Sequence, residues 1–524
     1  MPTAHDLAQN ILLQGRHSLA SLPQLGEEVM AERKQALTGR LVSSPPEPFM
    51  WSSQVCRSAS DLLQTLQWSV GLSGGLGPLP LVKTRQEFFE SLHTTVFSVS
   101  VVVQARKVVS AMSCKEVGLS PDEEIPSNSG ALDTFVDTYG DSWVQALVIG
   151  GQMQGVYTLY AQTREQAKDV ATAVDLLVST SSVRLGPSFS RQMKTIANEA
   201  KVNVSCRFSV SGLANPPQLT EENMAEFASN FGSLPLDNPV VLALETQGYE
   251  KVKELKEVFQ QVARNRILLS GQGSKPGLRR QWQRLQEMIN QCNWVEGTYD
   301  VYGITRDPSL APSRDQMRAD CREIETLCSA YQSSPSTPLE EPVLEAFAIG
   351  SPRLQVQLRD GETMGGGGGK PFAYKDRENA VRRRRRLVRV GLRAGSRIDQ
   401  IRLVYNQEPA GEADQLNAPP HGGTGGSDLG DVELGTGVGI QRIRAKSGKP
   451  NGRVDQLELI TTDGQQRGGG EGKGSNATLD WQAAPNQVVL GFWGRCKAEL
   501  DSLTAVIATF GPLAWEPVPE EEDP

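Results

Sequence analysis

The chain has 524 residues, 38% hydrophobic and 22% charged, which is length and apolar content for roughly two to four globular domains with sizeable cores. Its formal net charge of −8 argues against nucleic acid as a main partner. No run of about 18 apolar residues occurs, which excludes a constitutive transmembrane helix.

Met1-Pro-Thr-Ala-His-Asp lacks the basic cap and apolar stretch of a secretory signal, so the chain is expected to be made as a soluble protein. The seven cysteines, Cys56, Cys114, Cys206, Cys292, Cys321, Cys328 and Cys496, are odd in number and contain no Cys-x-x-Cys. That pattern fits buried or free thiols rather than a disulfide framework or a zinc site. Four histidines, His5, His17, His93 and His421, leave little material for metal or histidine acid–base chemistry. Met364 and Arg467 stand where a phosphate-binding loop ending at Lys370 or Lys473 would need glycine, and no His-Glu-x-x-His occurs. No enzyme, cofactor, metal or catalytic residue is therefore expected.

In chain order, the first informative segment is 58–92. Leu66, Trp68, Val70, Leu72 and Leu76 fall on even positions with Gln67, Ser69, Gly71, Ser73 and Gly75 between them, and Gly74-Gly75 and Pro78-Leu-Pro80 supply a tip. Phe97, Val99, Val101 and Val103 then share one parity against Ser98, Ser100 and Val102, as in a half-buried strand. Tyr139-Gly140-Asp141-Ser142-Trp143 follows, with Gly150-Gly151 after six further residues: a turn feeding a bent strand, since glycine permits close approach. In segment 163–200, Val170, Val174, Leu176 and Val178 share one parity, while Val170, Val174 and Leu177 also fit a helix. Further strands are expected at Val202–Val210 and Val240–Leu244.

The Tyr139–Trp143 and Gly150-Gly151 spacing resembles the signature of the membrane attack complex/perforin (MACPF) family: aromatic, Gly, Thr/Ser, His, aromatic, six residues, Gly-Gly. Asp141-Ser142 stands where that family usually has Thr/Ser-His. The resemblance covers roughly residues 50–260. It implies a bent antiparallel sheet flanked by two helical clusters, 58–92 and 163–200, that refold into membrane-inserting hairpins. Each cluster must then read as helix in water and as amphipathic strand in lipid; 58–92 shows the strand alternation, and 163–200 is ambiguous between the two. Leu66, Trp68, Val70, Leu72, Val170, Val174, Leu176 and Val178 are the expected membrane-inserting residues.

Helical stripes follow at Leu278, Trp282, Leu285, Ile289 and Cys292, and at Met317, Cys321, Ile324, Cys328 and Tyr331, within a helical extension over 255–332. The Pro/Ser-rich, aperiodic stretch Tyr331–Pro342 reads as a linker.

Beyond it the composition shifts: more than half of the 51 glycines follow residue 340. Three segments place an aspartate after a glycine and an apolar residue two further on: Gly395 to Asp399 and Ile401, Gly452 to Asp455 and Leu457, and Gly494 to Asp501 and Leu503. Three glycine loops interleave with them, at Gly365–Gly369, Gly422–Gly426 and Gly468–Gly472. A carboxylate can accept hydrogen bonds from two adjacent sugar hydroxyls, and glycine lets a sugar approach the main chain. This pattern, over roughly 345–512, resembles the jacalin-related lectins and implies a threefold β-prism that binds carbohydrate. By chain order Asp501 pairs with Gly366 and Gly367, Asp399 with Gly422 and Gly423, and Asp455 with Gly469 and Gly470. The arginine run Arg382–Arg386 reads as a solvated strand or loop edge, or otherwise as a contact for anionic lipid. The acidic Glu516–Asp523 end reads as a solubilising tail.

The expected fold class is α+β: a MACPF-like domain over 1–340 and an all-β jacalin-like prism over 343–515. The expected function is a pore-forming, cytolytic protein that binds a glycan or glycosylated receptor on a target cell membrane. It would then form a homo-oligomer ring and insert a β-barrel, outside the cell that made it. The alternative is a non-lytic carbohydrate-binding adhesion protein. The pairing of the two domains resembles bacterial insecticidal toxins.

Overall fold

The computed structural model describes residues 11–16, 34–44, 49–57, 61–62, 65–66, 88, 91–92, 94–95, 97–161, 164–180, 187–221, 223–272, 275–374, 377, 380–381, 384–407, 416–448, 452–473 and 475–517. The chain divides into two compact units. One comprises Met1–Asn290, Ser313–Gly350 and Pro517–Pro524; the other comprises Gln291–Pro312 and Ser351–Glu516.

The first unit holds one antiparallel seven-stranded sheet of β1 (Gly15–Arg16), β2 (Leu37–Ser44), β3 (Met50–Cys56), β4 (Ser98–Leu119), β5 (Ser142–Tyr160), β6 (Asn203–Ser211) and β7 (Val240–Gly248). β4 and β5 are its long central pair, in register from Ser98–Tyr160 to Ser113–Ala146. Midway, a register shift falls between Val108 and Ser110, opposite Gly150 and Ile149. There both strands change outer partners. β4 pairs with β3 over Ser100–Arg106 and with β2 over Ala111–Leu119. β5 pairs with β7 over Ser142–Gly150 and with β6 over Gln152–Tyr160.

The alternation in Phe97–Val103 predicts one exposed face, but Ser98, Ser100 and Val102 are buried as fully as their neighbours. Each face of the β4–β5 pair carries its own apolar layer. Val99, Val101, Val103, Met153 and Tyr157 share a cluster with Val170, Val174, Phe189 and Met193 of α2 (Arg164–Thr180) and α3 (Pro187–Glu199). Val102 and Val156, of the other parity, cluster with Cys56, Leu62, Leu66 and Leu92. Two buried glutamines on that face, paired in the ladder, bind the covering segment: Gln104 donates to the Thr65 carbonyl (2.8 Å) and Gln154 to that of Leu66 (2.9 Å).

Between β4 and β5 lies α1 (Ser129–Tyr139), whose N-terminus is capped by the Asn128 side chain and whose end is set by Gly140 at φ +80°. After β7 come α4 (Gln260–Ser270), α5 (Leu278–Tyr302) and α6 (Leu310–Ser333), and the two apolar stripes expected in this region are buried on α5 and α6. Among the described residues no helix is long and apolar enough to cross a membrane.

The Tyr331–Pro342 stretch is not a free linker. Asp133 accepts the Ser336 N–H (3.0 Å) and the Ser334 hydroxyl (2.9 Å). Asn265 donates to the carbonyls of Pro335 (2.9 Å) and Thr337 (2.7 Å) and accepts the Leu339 N–H (3.1 Å). All but the Ser334 hydroxyl bond are made to backbone, so they leave no side-chain periodicity in the sequence.

The second unit contains three antiparallel sheets of five, five and four strands, plus a two-stranded ribbon. Their central hairpins are Arg385–Ala394 with Ile398–Gln407, Ile440–Ser447 with Val454–Thr461, and Gln487–Cys496 with Leu500–Phe510. Within the arginine run, Arg382 and Arg383 lie outside the described residues. Arg384 lies over Trp294 (5.0 Å to the ring) and donates to Thr298 Oγ1 (3.0 Å). Arg386 is buried and donates to the Gly435 carbonyl (2.9 Å). Both guanidinium groups are therefore spent inside the unit, contrary to the solvated-edge expectation. Glu516 pairs with Arg353 (2.7 Å), and residues 518–524 lie outside the described residues.

The two glycines at the partner change are not equivalent. A Cβ on Gly150 would lie 2.1 Å from the Lys107 carbonyl oxygen, whereas one on Gly151 would meet a Leu236 methyl at 2.6 Å. Backbone cannot step aside as a leucine tip can. Gly150→Ala is expected to destabilise the first unit by about 1–3 kcal/mol, and Gly151→Ala by clearly less, as read from denaturant midpoints of the two variants.

Candidate functional site

In the first unit the Tyr139–Trp143 turn is a buried corner. Asp141 is fully buried; its carboxylate accepts the Tyr331 hydroxyl (2.8 Å) and its carbonyl accepts Arg266 Nη1 (3.0 Å). Arg266 also pairs with Glu250 (2.6 Å). Burial works against the Arg266 charge, but Asp141 and Glu250 outweigh it and raise its pKa. The Tyr249 hydroxyl donates to the Tyr139 carbonyl (3.0 Å), and the Ser142 hydroxyl to that of Arg16 (3.1 Å). Trp143 is buried beside them.

The expected membrane-inserting residues fall into three groups. Leu66, Val170 and Val174 are buried against the two faces of the sheet, and Val178 packs at the edge of the α2 cluster. Leu176, of the same parity, is 66% exposed, because a helix turns alternate residues to different sides. Trp68, Val70 and Leu72 lie outside the described residues.

The second unit builds one motif three times. Each central hairpin has a register shift just before its turn, at Arg393/Ala394, Lys446/Ser447 and Arg495/Cys496. Each return strand then begins with a fully buried apolar residue, Ile398, Val454 or Leu500, followed by the aspartate. The buried anchor and the strand's two-residue period fix the aspartate at the turn. Gly494 pairs with Leu503 inside its strand, so it does not belong to the Asp501 turn as the glycine–aspartate spacing implied.

A glycine loop lies against each aspartate. A Cβ on Gly365, Gly422 or Gly470 would lie 2.0 Å from the carbonyl oxygen of Asp501, Asp399 or Asp455, and all three glycines have positive φ. The Gly366 N–H donates to the Asp501 carbonyl and the Gly423 N–H to the Asp399 carbonyl, both at 2.9 Å. Gly367 is exposed with open space at its Cα. Gly469 ends the strand Gln466–Gly469 and packs on Ala394 and Leu429. All three chain-order pairs of loop and aspartate are thus adjacent in space.

Two arginines that sequence reasoning missed hold two of the loops. Arg495 donates to the carbonyls of Gly368 (2.8 Å) and Gly369 (2.9 Å), and Arg393 to those of Gly425 (3.2 Å) and Gly426 (3.0 Å). A trans peptide points its N–H away from its C=O, so the N–H groups after these carbonyls face away from the guanidinium. The available signal was an arginine six residues before Asp399 and again before Asp501. Phe372, beside the first loop, stacks on His421, beside the second (4.1 Å, 10°).

The third copy differs. Lys370 and Ser427, the first paired residues after their loops, lie five positions after Gly365 and Gly422, but Ala477 lies seven positions after Gly470. The longer loop brings Ser475, whose hydroxyl donates to Asp455 Oδ2 (2.9 Å), while Arg397 Nε donates to Oδ1 (3.1 Å). Arg397 also reaches Glu499 (3.3 Å), which pairs with Arg453. Burial works against the Glu499 charge, but the two guanidinium groups prevail and hold its carboxyl below the usual range. Among the described residues no group of three or more His, Cys, Asp or Glu is arranged to hold a metal ion.

Residues 361–506 match the family described as jacalin-like lectin domain. The C-terminal part of this chain is a jacalin-like lectin domain. Similar solved structures include a mannose-binding jacalin-related lectin from Ananas comosus, at 18% identity over 29% of this chain and 96% of that one, with a TM-score of 0.23. A Malaysian banana lectin matches at 20% identity over 29% and 98% of the two chains, TM-score 0.23. Artocarpin complexed with Me-alpha-Mannose matches at 18% identity over 29% and 97%, TM-score 0.24. No curated protein matches the chain by sequence.

Two outcomes follow for the lectin domain. Gly365→Ala puts a Cβ on backbone at φ +96° and is expected to lower its stability by about 1–3 kcal/mol, while Gly367→Ala leaves it within about 0.5 kcal/mol in the same melts. The depressed Glu499 pKa means its stabilisation is full above the ordinary glutamate value of 4.5 and is lost as pH falls through the lower folded value. The melting temperature of Glu499→Gln should therefore lie below wild type at pH 7, with the gap closing toward pH 3.

Proposed function

We propose that the protein binds carbohydrate through its jacalin-like lectin domain and delivers a MACPF-like unit to a target cell membrane. There it would assemble into a homo-oligomeric ring and insert a β-barrel pore, acting outside the cell that made it. The sugar sites are assigned to the Asp399 and Asp501 turns with their glycine loops, Gly422–Gly426 and Gly365–Gly369. Each offers a carboxylate next to glycine backbone, the arrangement that can accept two adjacent hydroxyls and let a sugar ring come close.

One topological observation supports the membrane step. Segment 58–92 joins β3 to β4, and segment 163–200 joins β5 to β6; both joined pairs are adjacent and antiparallel in the sheet. Converting either segment to strand lengthens an existing hairpin and re-threads nothing. Each is long enough for two spans of roughly 9–11 residues, and a closed barrel satisfies every backbone group in lipid. Leaving the sheet would uncover Val170 and Val174, each burial contributing roughly 2 kcal/mol, so a membrane or a neighbouring copy has to compensate.

The test separates the two halves of the reading. Retention on immobilised mannosides or galactosides should fall by about tenfold or more per site in Asp399→Asn and Asp501→Asn, since each loses a charged acceptor. Vesicles carrying the retained glycan should then release an entrapped dye, and the double variant should not release it. Binding without release would leave a non-lytic adhesion protein; no retention on any glycan would overturn the lectin function.

A further inference from the structure

The three aspartates are equivalent by register but not in what reaches them. No hydrogen bond is made to the Asp399 carboxylate among the described residues; its oxygens lie against Gly425 and Gly426, which have no side chain to block them. Asp501 is 7% exposed, and its Oδ2 is buried without a hydrogen-bond partner. The nearest cation, Arg453 Nε, stands 3.7 Å from its Oδ1, outside hydrogen-bond reach. Asp455 is as buried, at 6%, yet both of its oxygens are engaged, Oδ1 by Arg397 Nε and Oδ2 by Ser475 Oγ.

Two donors, one on each carboxylate oxygen, are also what two neighbouring sugar hydroxyls would supply to the same group. We propose that Arg397 and Ser475 act as an internal ligand that occupies the Asp455 site, so that the domain carries two open sugar sites and Arg397 sets that number. The inference rests on the assignment of the aspartate turns as sugar sites and adds the residue that decides which of them open.

Three features of the fold hold the occupant in place. Arg397 belongs to the Ser396–Arg397 turn that precedes Asp399, and the Glu471 N–H of the third glycine loop donates to the Ser396 carbonyl (3.0 Å), tying the second turn to the third loop. Glu499, from the turn before Asp501, accepts Arg397 Nη1 and also pairs with Arg453. A guanidinium already held by the Glu499 carboxylate has lost part of its conformational freedom before it meets Asp455, so the contact costs less further ordering. The two extra residues of the third loop place Ser475 on the remaining oxygen. A sugar would have to displace a charge-assisted hydrogen bond and a hydroxyl at once, and leave Arg397 with Glu499 alone.

The experiment counts sugars on the full chain by calorimetric titration with methyl α-mannoside, methyl α-glucoside and methyl β-galactoside in turn. The readout is the increment between variants. Arg397→Ala is expected to bind one more sugar per chain than wild type, and Arg397→Ala with Asp455→Asn to return to the wild-type count. Asp455→Asn alone, which leaves Arg397 in place, is expected to leave the count unchanged, while Asp399→Asn lowers it by one. An unchanged count in Arg397→Ala, or a count lowered by Asp455→Asn alone, overturns the internal-ligand proposal and leaves the lectin assignment standing. No binding of any of the three glycosides by wild type and Arg397→Ala alike overturns both.

Discussion

A long strand pair buried on both faces needs a covering layer on each, and the first unit is arranged around that requirement. β4 and β5 share an extended ladder whose two parities lead into different apolar clusters. One layer is supplied by α2 and α3, the other by the segment containing Leu62 and Leu66. The covering pieces are the connections between neighbouring strands, so the elements that complete the core are also those whose conversion to strand would extend the sheet. Gln104 and Gln154 add a polar condition: buried on the sheet, they are satisfied by backbone of the covering segment, and uncovering them would leave their amides unpaired.

In the lectin domain the comparable constraint is the approach of a glycine loop to the backbone of an aspartate. A Cβ at Gly365, Gly422 or Gly470 would sit 2.0 Å from a carbonyl oxygen, so only glycine permits the contact. Behind two loops an arginine gathers the carbonyls; in front stands the carboxylate. The same geometry carried three times lets each copy be compared with the others. Loop length and one arginine distinguish the third copy, whose carboxylate is neutralised from within the domain.

Much of this was legible one residue at a time. The apolar stripes of α5 and α6, the aspartate turns and the glycine loops each follow from a local periodicity or a residue type with a specific conformational use. Other readings failed because their cause lies elsewhere in the chain. Val102 reads as the opposing parity of a half-exposed strand, but it is covered by residues some forty positions upstream. Leu176 shares the parity of Val174 yet points outward, because that segment is a helix in this state. Arg384 and Arg386 read as a solvated charge run, but Trp294, Thr298 and Gly435 take them up. The Tyr331–Pro342 stretch looks unstructured because its partners, Asp133 and Asn265, bind mainly its backbone, with Ser334 the one side chain they take up.

The sequence by itself determined the change of class near residue 340, the alternating and helical patterns that build each element, and the pairing of three aspartates with three glycine loops. These are properties of local spacing, and local spacing controls which face a side chain takes and where the chain can turn tightly. Only the tertiary structure decided that both faces of the central strands are covered, that Asp141 is tied to Tyr331 and Arg266, and that Arg397 lies on Asp455 rather than on the site of its own turn. Those contacts join residues far apart in the chain through the charge and hydrogen-bonding capacity of single side chains, which no periodicity records.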